Sequence, residues 1–439
     1  MTLFVVSTGE VSGRSLMDGL KASAKPFDIS KSEVWEAWVK VKGNKGASGV
    51  DGVSIEVFEK DLKNNLYKVW NRMASGTYFP PDVKAVAIPK AHGGTRILGV
   101  PTVADRVAQT VVAAHLMERV EPVFHPDSYG YRPERSALDA VASCRQRCWK
   151  YDWVVEFDIR RFFDTVPWEK VVKAVEAHTD AGWVVLYVKR WLAAGLRLPD
   201  GSTTERTEGT PQGSAVSPVL ANLFLHYAFD AWMSREHPGC PFERYADDAV
   251  IHCRTLAQAR EVLAALRSRM AEVGLELHPD KTRIVYCKDS NRREEFPEIE
   301  FTFLGFTFRP RAAKNSNGVR FTSFAPAVSK AALKRMGETV RGWRLHRRTG
   351  SDTADLARII NPVLRGWMAY YGRFYRSALY PLFGRINYRL MRWIRKKYRI
   401  GVRQACRRMI DGYARQPRYF AHWTWAPPAG AVTRTTRAV

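Results

Sequence analysis

Three aspartates in two short segments carry the side chains best suited to metal chemistry in this 439-residue chain. Asp247 and Asp248 stand side by side in "FERYADDAVIHC", residues 242–253, with apolar residues on both sides, and Asp158 ends the apolar run "WVVEFD". Adjacent carboxylates in apolar surroundings repel each other and resist desolvation. A surface turn is the ordinary explanation of an isolated Asp-Asp pair, so the surrounding elements must decide.

Those elements predict that the three carboxylates converge. "FERY" and "AVIHC" have the composition of two strands joined by the acid pair, and "WVVEFDI" has that of a buried strand. If the strand ends meet, the carboxylates form one cluster that suits divalent cations. Mg²⁺ prefers a few carboxylates together with phosphate oxygens and water, and two such ions can activate an attacking hydroxyl and stabilise a leaving phosphate. The pattern therefore indicates nucleotidyl transfer.

The formal net charge of +25 lies mostly in the last quarter of the chain. Residues 331–439 hold 24 Lys and Arg against 4 Asp and Glu. A surplus of this size favours a polyanionic partner, either nucleic acid or an anionic membrane surface. No apolar run is long enough to span a membrane, so we expect nucleic acid as the partner and no membrane.

The six cysteines are scattered along the chain, which predicts a reduced cytosolic setting. Cys144 and Cys148 lie four residues apart on a predicted helix, and no second pair completes a zinc site. The N-terminal "MTLFVVSTGE" has no basic region and is a poor signal peptide.

The hydrophobic pattern divides the chain into a mixed body and a helical C-terminal part. A basic hairpin is predicted at 83–101, a linker at 312–327, and helices at 328–347, 354–375 and 380–412. In the helical part Arg alternates with Trp and Tyr, as in "RGWMAYYGRFYR". Such a surface binds phosphates through Arg and stacks bases on aromatic rings.

Several segments, in order, resemble one protein family. They are "NKGASGVDG" (44–52), "IPKAHGGTRILGVPTVADRVAQ" (88–109), "SYGYRPERSALDAV" (128–141), "VVEFDIRRFFDTV" (154–166), "GTPQGSAVSPVLANLFL" (209–225), "YADD" (245–248), "LHPDKTRIV" (277–285), "FLGFTF" (303–308), "INPVLRGWMAYYG" (360–372) and "RYFAHW" (418–423). Together they resemble the bacterial group II intron-encoded reverse transcriptase/maturases over roughly residues 33–425. Any single segment is weak evidence, but the ordered set is specific.

The resemblance implies an α+β fold: a right-hand polymerase with fingers, a palm containing an antiparallel sheet, and an all-α thumb bundle. The implied boundaries are an N-terminal segment at 1–32, an N-terminal extension and fingers at 33–152, a palm with finger insertions at 153–311, the linker at 312–327, a helical thumb or maturase domain at 328–412, and a DNA-binding-like segment and tail at 413–439. Some relatives end in a zinc-containing endonuclease, and we expect this chain to lack that domain.

The resemblance also implies roles for individual residues. The catalytic and metal-binding set is Asp158, Asp247, Asp248 and the carbonyl of Ile159. The set that contacts the incoming deoxynucleotide is Lys90, Arg96, Arg161, Phe162, Phe163 and Gln212, with Phe163 excluding a ribose 2′-hydroxyl. The primer and template contacts are Tyr245, Ala246, Lys281, Leu304 and Gly305. The RNA-binding set in the thumb is Arg341, Arg344, Arg365, Tyr371, Arg373, Arg392 and Lys396.

The implied activity is RNA-directed DNA synthesis with two Mg²⁺ ions, for which Mn²⁺ can substitute. Expected partners are an RNA template, a DNA or RNA primer, deoxynucleoside triphosphates, the parent intron RNA in a ribonucleoprotein, and target DNA. The implied second activity is assistance to splicing and retrohoming, in the cytoplasm of a bacterium and at the nucleoid when on DNA.

Three other functions stay open. A domesticated relative would serve DNA repair or phage defence. A splicing factor without polymerase activity is disfavoured by Asp158, Asp247 and Asp248, which are all present. An RNA-dependent RNA polymerase is disfavoured because such enzymes usually carry Gly before the acid pair and a small polar residue at the position of Phe163.

Overall fold

The computed structural model describes residues 25–89 and 95–431. The α-helices are α1 (Lys31–Asn44), α2 (Ile55–Lys60), α3 (Leu62–Ala74), α4 (Val103–Val120), α5 (Ala137–Cys148), α6 (Phe162–Thr165), α7 (Trp168–Glu176), α8 (Gly182–Ala193), α9 (Ser217–Leu225), α10 (Ala231–Glu236), α11 (Leu256–Glu272), α12 (Lys330–Gly342), α13 (Thr353–Tyr371), α14 (Tyr380–Tyr398) and α15 (Val402–Arg415). The strands are β1 (Val83–Pro89), β2 (Thr95–Val100), β3 (Trp153–Asp158), β4 (Leu196–Arg197), β5 (Thr203–Thr204), β6 (Phe242–Tyr245), β7 (Asp248–Cys253), β8 (Arg283–Tyr286), β9 (Phe301–Phe303), β10 (Phe306–Lys314) and β11 (Arg320–Val328).

The first of two compact units combines residues 25–125, 161–230 and 272–275. Its sheet has the strand order β2-β1-β4-β5, and β1 pairs with β2 in antiparallel register, with Ile88 opposite Arg96. This pairing confirms the hairpin predicted at 83–101. Helix α4 is buried along one face and packs against α1 and α3.

The second unit combines residues 126–160, 231–271 and 276–431. Its main sheet has the order β6-β7-β3-β8, with every neighbouring pair antiparallel. The strands predicted from "WVVEFD", "FERY" and "AVIHC" are all present. Helix α5 begins at a capping box between Ser136 and Asp139, which satisfies free N–H groups of its first turn. The buried side chains of α5 pack in one core cluster with those of β3, β7 and β8.

The segment 312–327 was predicted to be a linker, and this is wrong. Strands β10 and β11 pair along their whole length, from Phe306 opposite Val328 to Lys314 opposite Arg320. The inner half of this hairpin is buried, whereas its outer end, residues 312–314 and 320–322, has no fully buried side chain. A hairpin end without a buried face needs no alternation of apolar and polar residues, so the sequence shows no strand period there.

The C-terminal bundle, α12 to α15, encloses a continuous apolar core that includes Leu356, Ile360, Phe383 and Ile386. The helices predicted at 328–347 and 354–375 correspond to α12 and α13 with short 3₁₀ turns after them. The single helix predicted at 380–412 is two helices, because the chain turns at Arg399, whose φ is +53°. That left-handed conformation ends α14 in the manner usual for a helix C-cap.

The segment after α15 packs into the core of the bundle. Phe420, Ala421 and Trp423 are buried in the same cluster as α13 and α14. Asn387 holds them, because its Oδ1 accepts hydrogen bonds from His422 Nε2 at 2.8 Å and Trp423 Nε1 at 2.9 Å. Burial lowers the pKa of His422 to about 3, so the ring is neutral. These buried side chains cannot serve the DNA contact predicted for 413–439, and residues 432–439 lie outside the described part.

The combination of helices with antiparallel sheet agrees with the predicted α+β class. The assignment of fingers, palm and thumb stays a prediction. In the described ranges, no helix is both long enough and apolar enough to cross a membrane.

Replacing Asn387 with Ala should destabilise the C-terminal bundle. The change removes the acceptor of two buried donors, and each unsatisfied buried donor costs about 1–3 kcal/mol. Urea unfolding should therefore show a lower midpoint for Asn387→Ala. Tyr388→Ala is the matched control, because that neighbouring side chain is exposed and surface substitutions change stability by about 0.5 kcal/mol or less. Equal midpoints for the two variants would contradict the role given to Asn387.

Candidate metal site at the aspartate hairpin

The two adjacent aspartates lie at the tip of the β6–β7 hairpin, which we call the aspartate hairpin. Tyr245 pairs with Asp248, so Ala246 and Asp247 form a two-residue turn. Ala246 has φ +56°, a conformation that costs a residue with a Cβ roughly 1–2 kcal/mol. Gly130 lies directly behind the turn, since a Cβ built on it would come within 2.5 Å of the Ala246 nitrogen. The backbone at 130 thus fixes the position of the tip.

Asp158 faces Asp248 across the main sheet. The two residues are direct partners at the end of the β3–β7 ladder, and such partners place their Cβ atoms about 4.5–5.5 Å apart on one face. The pKa of Asp248 is raised to about 7, mainly by burial and also by the nearby carboxylates of Asp247, Glu156 and Asp158. The predicted meeting of the strand ends is therefore present, and so is its electrostatic cost.

The β9–β10 turn contacts the aspartate hairpin. Its central residues, Leu304 and Gly305, both have positive φ, +51° and +81°, as a type I′ turn requires. The backbone N–H of Leu304 donates a hydrogen bond to the Asp248 carboxylate, which opposes the rise in its pKa. Tyr370 Oη donates to the Leu304 carbonyl at 2.9 Å. The structure thus brings two predicted primer contacts, Leu304 and Gly305, beside the aspartates.

Lys281 forms an ion pair with Asp158, whose Oδ2 lies 2.7 Å from the lysine Nζ. The sequence placed Lys281 near the site without a definite role, and the ion pair supplies one: it offsets part of the negative charge. The Asp158 carbonyl accepts a hydrogen bond from the His278 N–H, and the Arg160 N–H donates one to the Glu276 carbonyl, each at 2.8 Å. Because bonding groups alternate along a strand, the carbonyl of Ile159 points away from those residues.

A buried ionic network, which was not among the predictions from the sequence, supports the hairpin at the end remote from the turn. Arg147 Nη1 donates to Glu243 Oε1 at 2.6 Å, and its Nη2 lies 2.7 Å from Asp127 Oδ2. Glu243 Oε2 lies 2.6 Å from His252 Nε2. The network joins β6, β7, α5 and the loop that leads to Gly130. The only sign of this network in the sequence is the presence of polar residues at strand positions that face the core.

The donor set fits Mg²⁺. Three carboxylates lie near one another at the strand ends, next to a backbone carbonyl, and hard oxygen donors of this kind are the ligands that Mg²⁺ takes in proteins. A cation would also relieve the mutual repulsion that raises the pKa of Asp248. Asp158, Asp247 and the Ile159 carbonyl would be the oxygen donors for such an ion, while the Asp248 carboxylate accepts a hydrogen bond from the Leu304 N–H.

The predicted nucleotide contacts belong to the first unit, except that Lys90 lies outside the described residues. Arg96 occupies β2 opposite Ile88. Arg161 has a left-handed backbone, φ +52°, at the start of α6. Phe162 is buried, with its ring centroid 6.3 Å from that of Phe224, which confirms core packing for it. Phe163 is half-buried.

Gln212 lies in a loop joined to β2. Its carbonyl accepts a hydrogen bond from the Gly99 N–H at 2.8 Å, and its Nε2 lies 3.4 Å from Asp164 Oδ1. Gly213 has φ +114°, and a Cβ there would come within 2.5 Å of the Gly99 carbonyl oxygen, so the close approach requires glycine. The first unit therefore brings the strand of Arg96 beside the loop of Gln212.

Most of the predicted RNA-binding residues of the bundle are exposed: Arg341, Arg344, Arg365, Arg373, Arg392 and Lys396. Tyr371 differs, because its ring packs on Phe306 with centroids 5.4 Å apart and lies against Gly305. Burial lowers the pKa of His346, and the neighbouring cations Arg392, Arg347 and Lys396 lower it further. Arg347, Arg392 and Lys396 therefore lie near one another around His346 and form one positive surface.

Two family models match the chain in succession. "Reverse transcriptase (RNA-dependent DNA polymerase)" matches residues 88–308, and "Group II intron, maturase-specific domain" matches residues 333–410. The first match covers the main sheet with its three aspartates, and the second covers most of the C-terminal bundle.

Three curated relatives share about the same level of identity with this chain. Protein YkfC of Escherichia coli K12 is 30% identical over 302 residues, which cover 60% of this chain and 76% of that protein. An uncharacterized 91 kDa protein in the cob intron of Schizosaccharomyces pombe is 30% identical over 46% of this chain and 25% of its own length. The group II intron-encoded protein LtrA of Lactococcus lactis is 30% identical over 43% of this chain and 32% of its own length. The chain thus spans only a quarter to a third of the last two relatives.

Gly130→Ala should weaken divalent-cation binding at the aspartate hairpin. The new Cβ would collide with backbone atoms of the turn at 2.5 and 3.0 Å, and the turn would have to move. Titration with Mn²⁺, followed by electron paramagnetic resonance, should show a loss of affinity of about tenfold or more, which corresponds to about 1.4 kcal/mol. Gly239→Ala is the control, because the nearest atom to a Cβ there is 3.8 Å away. Wild-type affinity in a folded Gly130→Ala protein would refute the positioning role.

Proposed function

Because the chain belongs to the reverse transcriptases and carries the maturase-specific domain of group II introns, we propose that it copies RNA into DNA and also binds its parent intron RNA. The observation that carries the proposal is the facing pair Asp158 and Asp248 with Asp247 beside it. A splicing factor without polymerase activity would have no need to retain three mutually repelling carboxylates.

In this proposal Asp158, Asp247 and the Ile159 carbonyl hold two Mg²⁺ ions. When bound, the ions lower the pKa of the primer 3′-hydroxyl and stabilise charge on the reacting and leaving phosphate oxygens. Asp248 acts on the site indirectly, through its charge and its hydrogen bond from Leu304. Lys281 keeps Asp158 in place by the ion pair of 2.7 Å. The turn at Leu304 and Gly305 holds the primer end.

The nucleotide contacts are proposed from the resemblance. Arg96 and Lys90 grip the triphosphate, which a guanidinium binds as a fork and an ammonium as a point charge. The amides of Arg161 and Phe162 bind triphosphate oxygens, and Gln212 contacts the new base pair. Phe163 excludes the ribose 2′-hydroxyl. Its partial exposure supports this role, since Phe162 already fills the core.

The basic surface of the C-terminal bundle is proposed to bind intron RNA and to help it fold for splicing. The same surface is proposed to bind target DNA during retrohoming. Exposed arginines supply phosphate contacts, and the neighbouring Tyr388 ring, 6.0 Å from the Arg392 guanidinium, is available for stacking.

Asp247→Asn should abolish primer extension on an RNA template while leaving RNA binding intact. A catalytic metal ion contributes several kcal/mol, so the rate should fall by about a thousandfold or more. Single-turnover extension with a labelled primer measures the rate, and filter binding measures RNA affinity. Asp200→Asn, at an exposed turn, should behave as wild type. Extension by Asp247→Asn at the control rate would rule out this metal site.

Phe163→Ala should let the enzyme incorporate ribonucleotides. Removal of the ring removes the steric barrier to the 2′-hydroxyl, so the ratio of kcat/KM for deoxy- over ribonucleotide should fall by at least about tenfold. Phe79→Ala is the comparison, because that ring is 70% exposed in the same unit. An unchanged ratio for Phe163→Ala would contradict the sugar-exclusion role.

Arg392→Ala combined with Lys396→Ala should weaken RNA binding and flatten its salt dependence. Each lost phosphate contact should reduce the slope of log K against log salt by about 0.7–0.9. Arg260→Ala with Arg267→Ala, on the exposed face of α11, is the charge-matched control. If both double variants show the same slope of log K against log salt, the surface of the bundle is not the RNA-binding surface.

A further inference from the structure

A buried cluster of three thiols and one imidazole lies beneath the main sheet. Cys144 and Cys148 share a face of α5, since they stand one turn apart, and His252 lies in β7. Cys287 follows β8, where its N–H donates to the Asp152 carbonyl at 2.8 Å. All four side chains are fully enclosed. The helix pair that lacked a partner in the sequence thus gains two more donors.

The strand register brings His252 and Cys287 to the same face. Val154 of β3 pairs with His252 on one side and with Val285 on the other. Side chains alternate along a strand, so Cys287, two residues beyond Val285, faces the same side as His252. Helix α5 covers this face.

The donor atoms are close together. Cys144, Glu243 and His252 each offer a ligand atom, and these three atoms lie within 4.8 Å of one another. Cys148 follows Cys144 by one turn of α5, and both pack with Cys287 in one buried core cluster. Donors bound to one tetrahedral zinc ion are about 3.3–3.8 Å apart, so zinc would draw these side chains closer together.

The ring of His252 has one nitrogen, Nδ1, whose surroundings indicate a ligand. Its Nε2 lies 2.6 Å from Glu243 Oε2, and Glu243 Oε1 is occupied by Arg147. Among the described residues, His252 Nδ1 has no hydrogen-bond partner, although it is buried. A histidine that binds a metal usually makes this carboxylate contact through its second nitrogen, which orients the ring. Packed thiols alone, the simpler explanation, bring only the weakly bonding Cys148 thiol beside the His252 ring, without a hydrogen bond of good geometry to Nδ1.

We propose that Cys144, Cys148, Cys287 and Nδ1 of His252 bind one structural Zn²⁺ ion, with Glu243 orienting the imidazole. Three thiolates and one imidazole form a closed zinc site of the structural type. The three thiols release their protons to solvent on binding, which leaves one negative charge. Arg292 lies beside the site, since its Nη2 donates to the Cys148 carbonyl at 2.9 Å, and its own charge is paired with Asp289.

The zinc ion ties α5 to β7 and to the chain after β8. His252 is four residues from Asp248 along β7, or about 13 Å, so the site is separate from the aspartates. Its effect on polymerisation is therefore structural: it anchors the end of the strand whose other end carries Asp248.

The test is the metal content of the full chain, expressed without a histidine tag and dialysed against excess Mg²⁺. Mass spectrometry of the metals should find about one zinc per chain, and cobalt substitution should give the thiolate-to-metal charge-transfer band of a tetrahedral site. Cys148→Ser should lose the zinc, and Glu243→Gln should bind it about 10–100-fold more weakly.

Two controls separate this site from the others. Cys406→Ser, in the C-terminal bundle, and Asp247→Asn should both keep one zinc per chain. Wild-type protein that is folded, reduced and free of zinc after growth in zinc-supplemented medium would overturn the proposal, and so would zinc lost from Asp247→Asn but retained by Cys148→Ser. The wild-type measurement needs no variant, so a variant that fails to fold leaves the test intact.

Discussion

The repulsion among Asp158, Asp247 and Asp248 is the constraint on which the second unit depends. The end of β3 and the start of β7 must stand opposite each other, and the turn at Ala246 must accept a left-handed backbone. Left alone, such carboxylates would move apart or protonate, and burial together with the neighbouring carboxylates raises the pKa of Asp248. The surrounding structure prevents movement: Gly130 backs the turn, Leu304 donates to Asp248, and Lys281 pairs with Asp158.

The supports for these acids come from distant parts of the chain. The loop at 127–130, helix α5 and the turn at 304–305 each bring one group to the hairpin, and α13 holds that last turn through Tyr370. Behind the sheet, the positive charge of Arg147 balances the buried carboxylate of Glu243. A metal ion at the aspartates would then complete a site whose geometry the protein has already fixed, which is how preorganised sites avoid reorganisation during the reaction.

The sequence was sufficient for features that depend on local pattern. The strand ending in Asp158, the paired strands around Asp247 and the hairpin at 83–101 follow from apolar runs and turns. It failed where tertiary contacts decide. The strands within 312–327 extend into solvent and lack alternation, and the break at Arg399 has no glycine or proline at that residue. The aromatic residues of "RYFAHW" could have indicated packing, because buried Trp and His need partners such as Asn387. The partners of Cys144 and Cys148 could not be found, since His252 and Cys287 lie more than a hundred residues away.

The most direct test of this account compares thermal unfolding of wild type and Asp248→Asn, at a pH above the raised pKa of Asp248, with and without Mg²⁺. Asparagine keeps an oxygen for the Leu304 N–H but removes one charge. We expect Asp248→Asn to be more stable than wild type without Mg²⁺ and to gain less stability from Mg²⁺ than wild type does. A variant that is less stable without Mg²⁺, and that gains as much stability from the ion as wild type, would contradict the claim that the fold holds these carboxylates together against their repulsion.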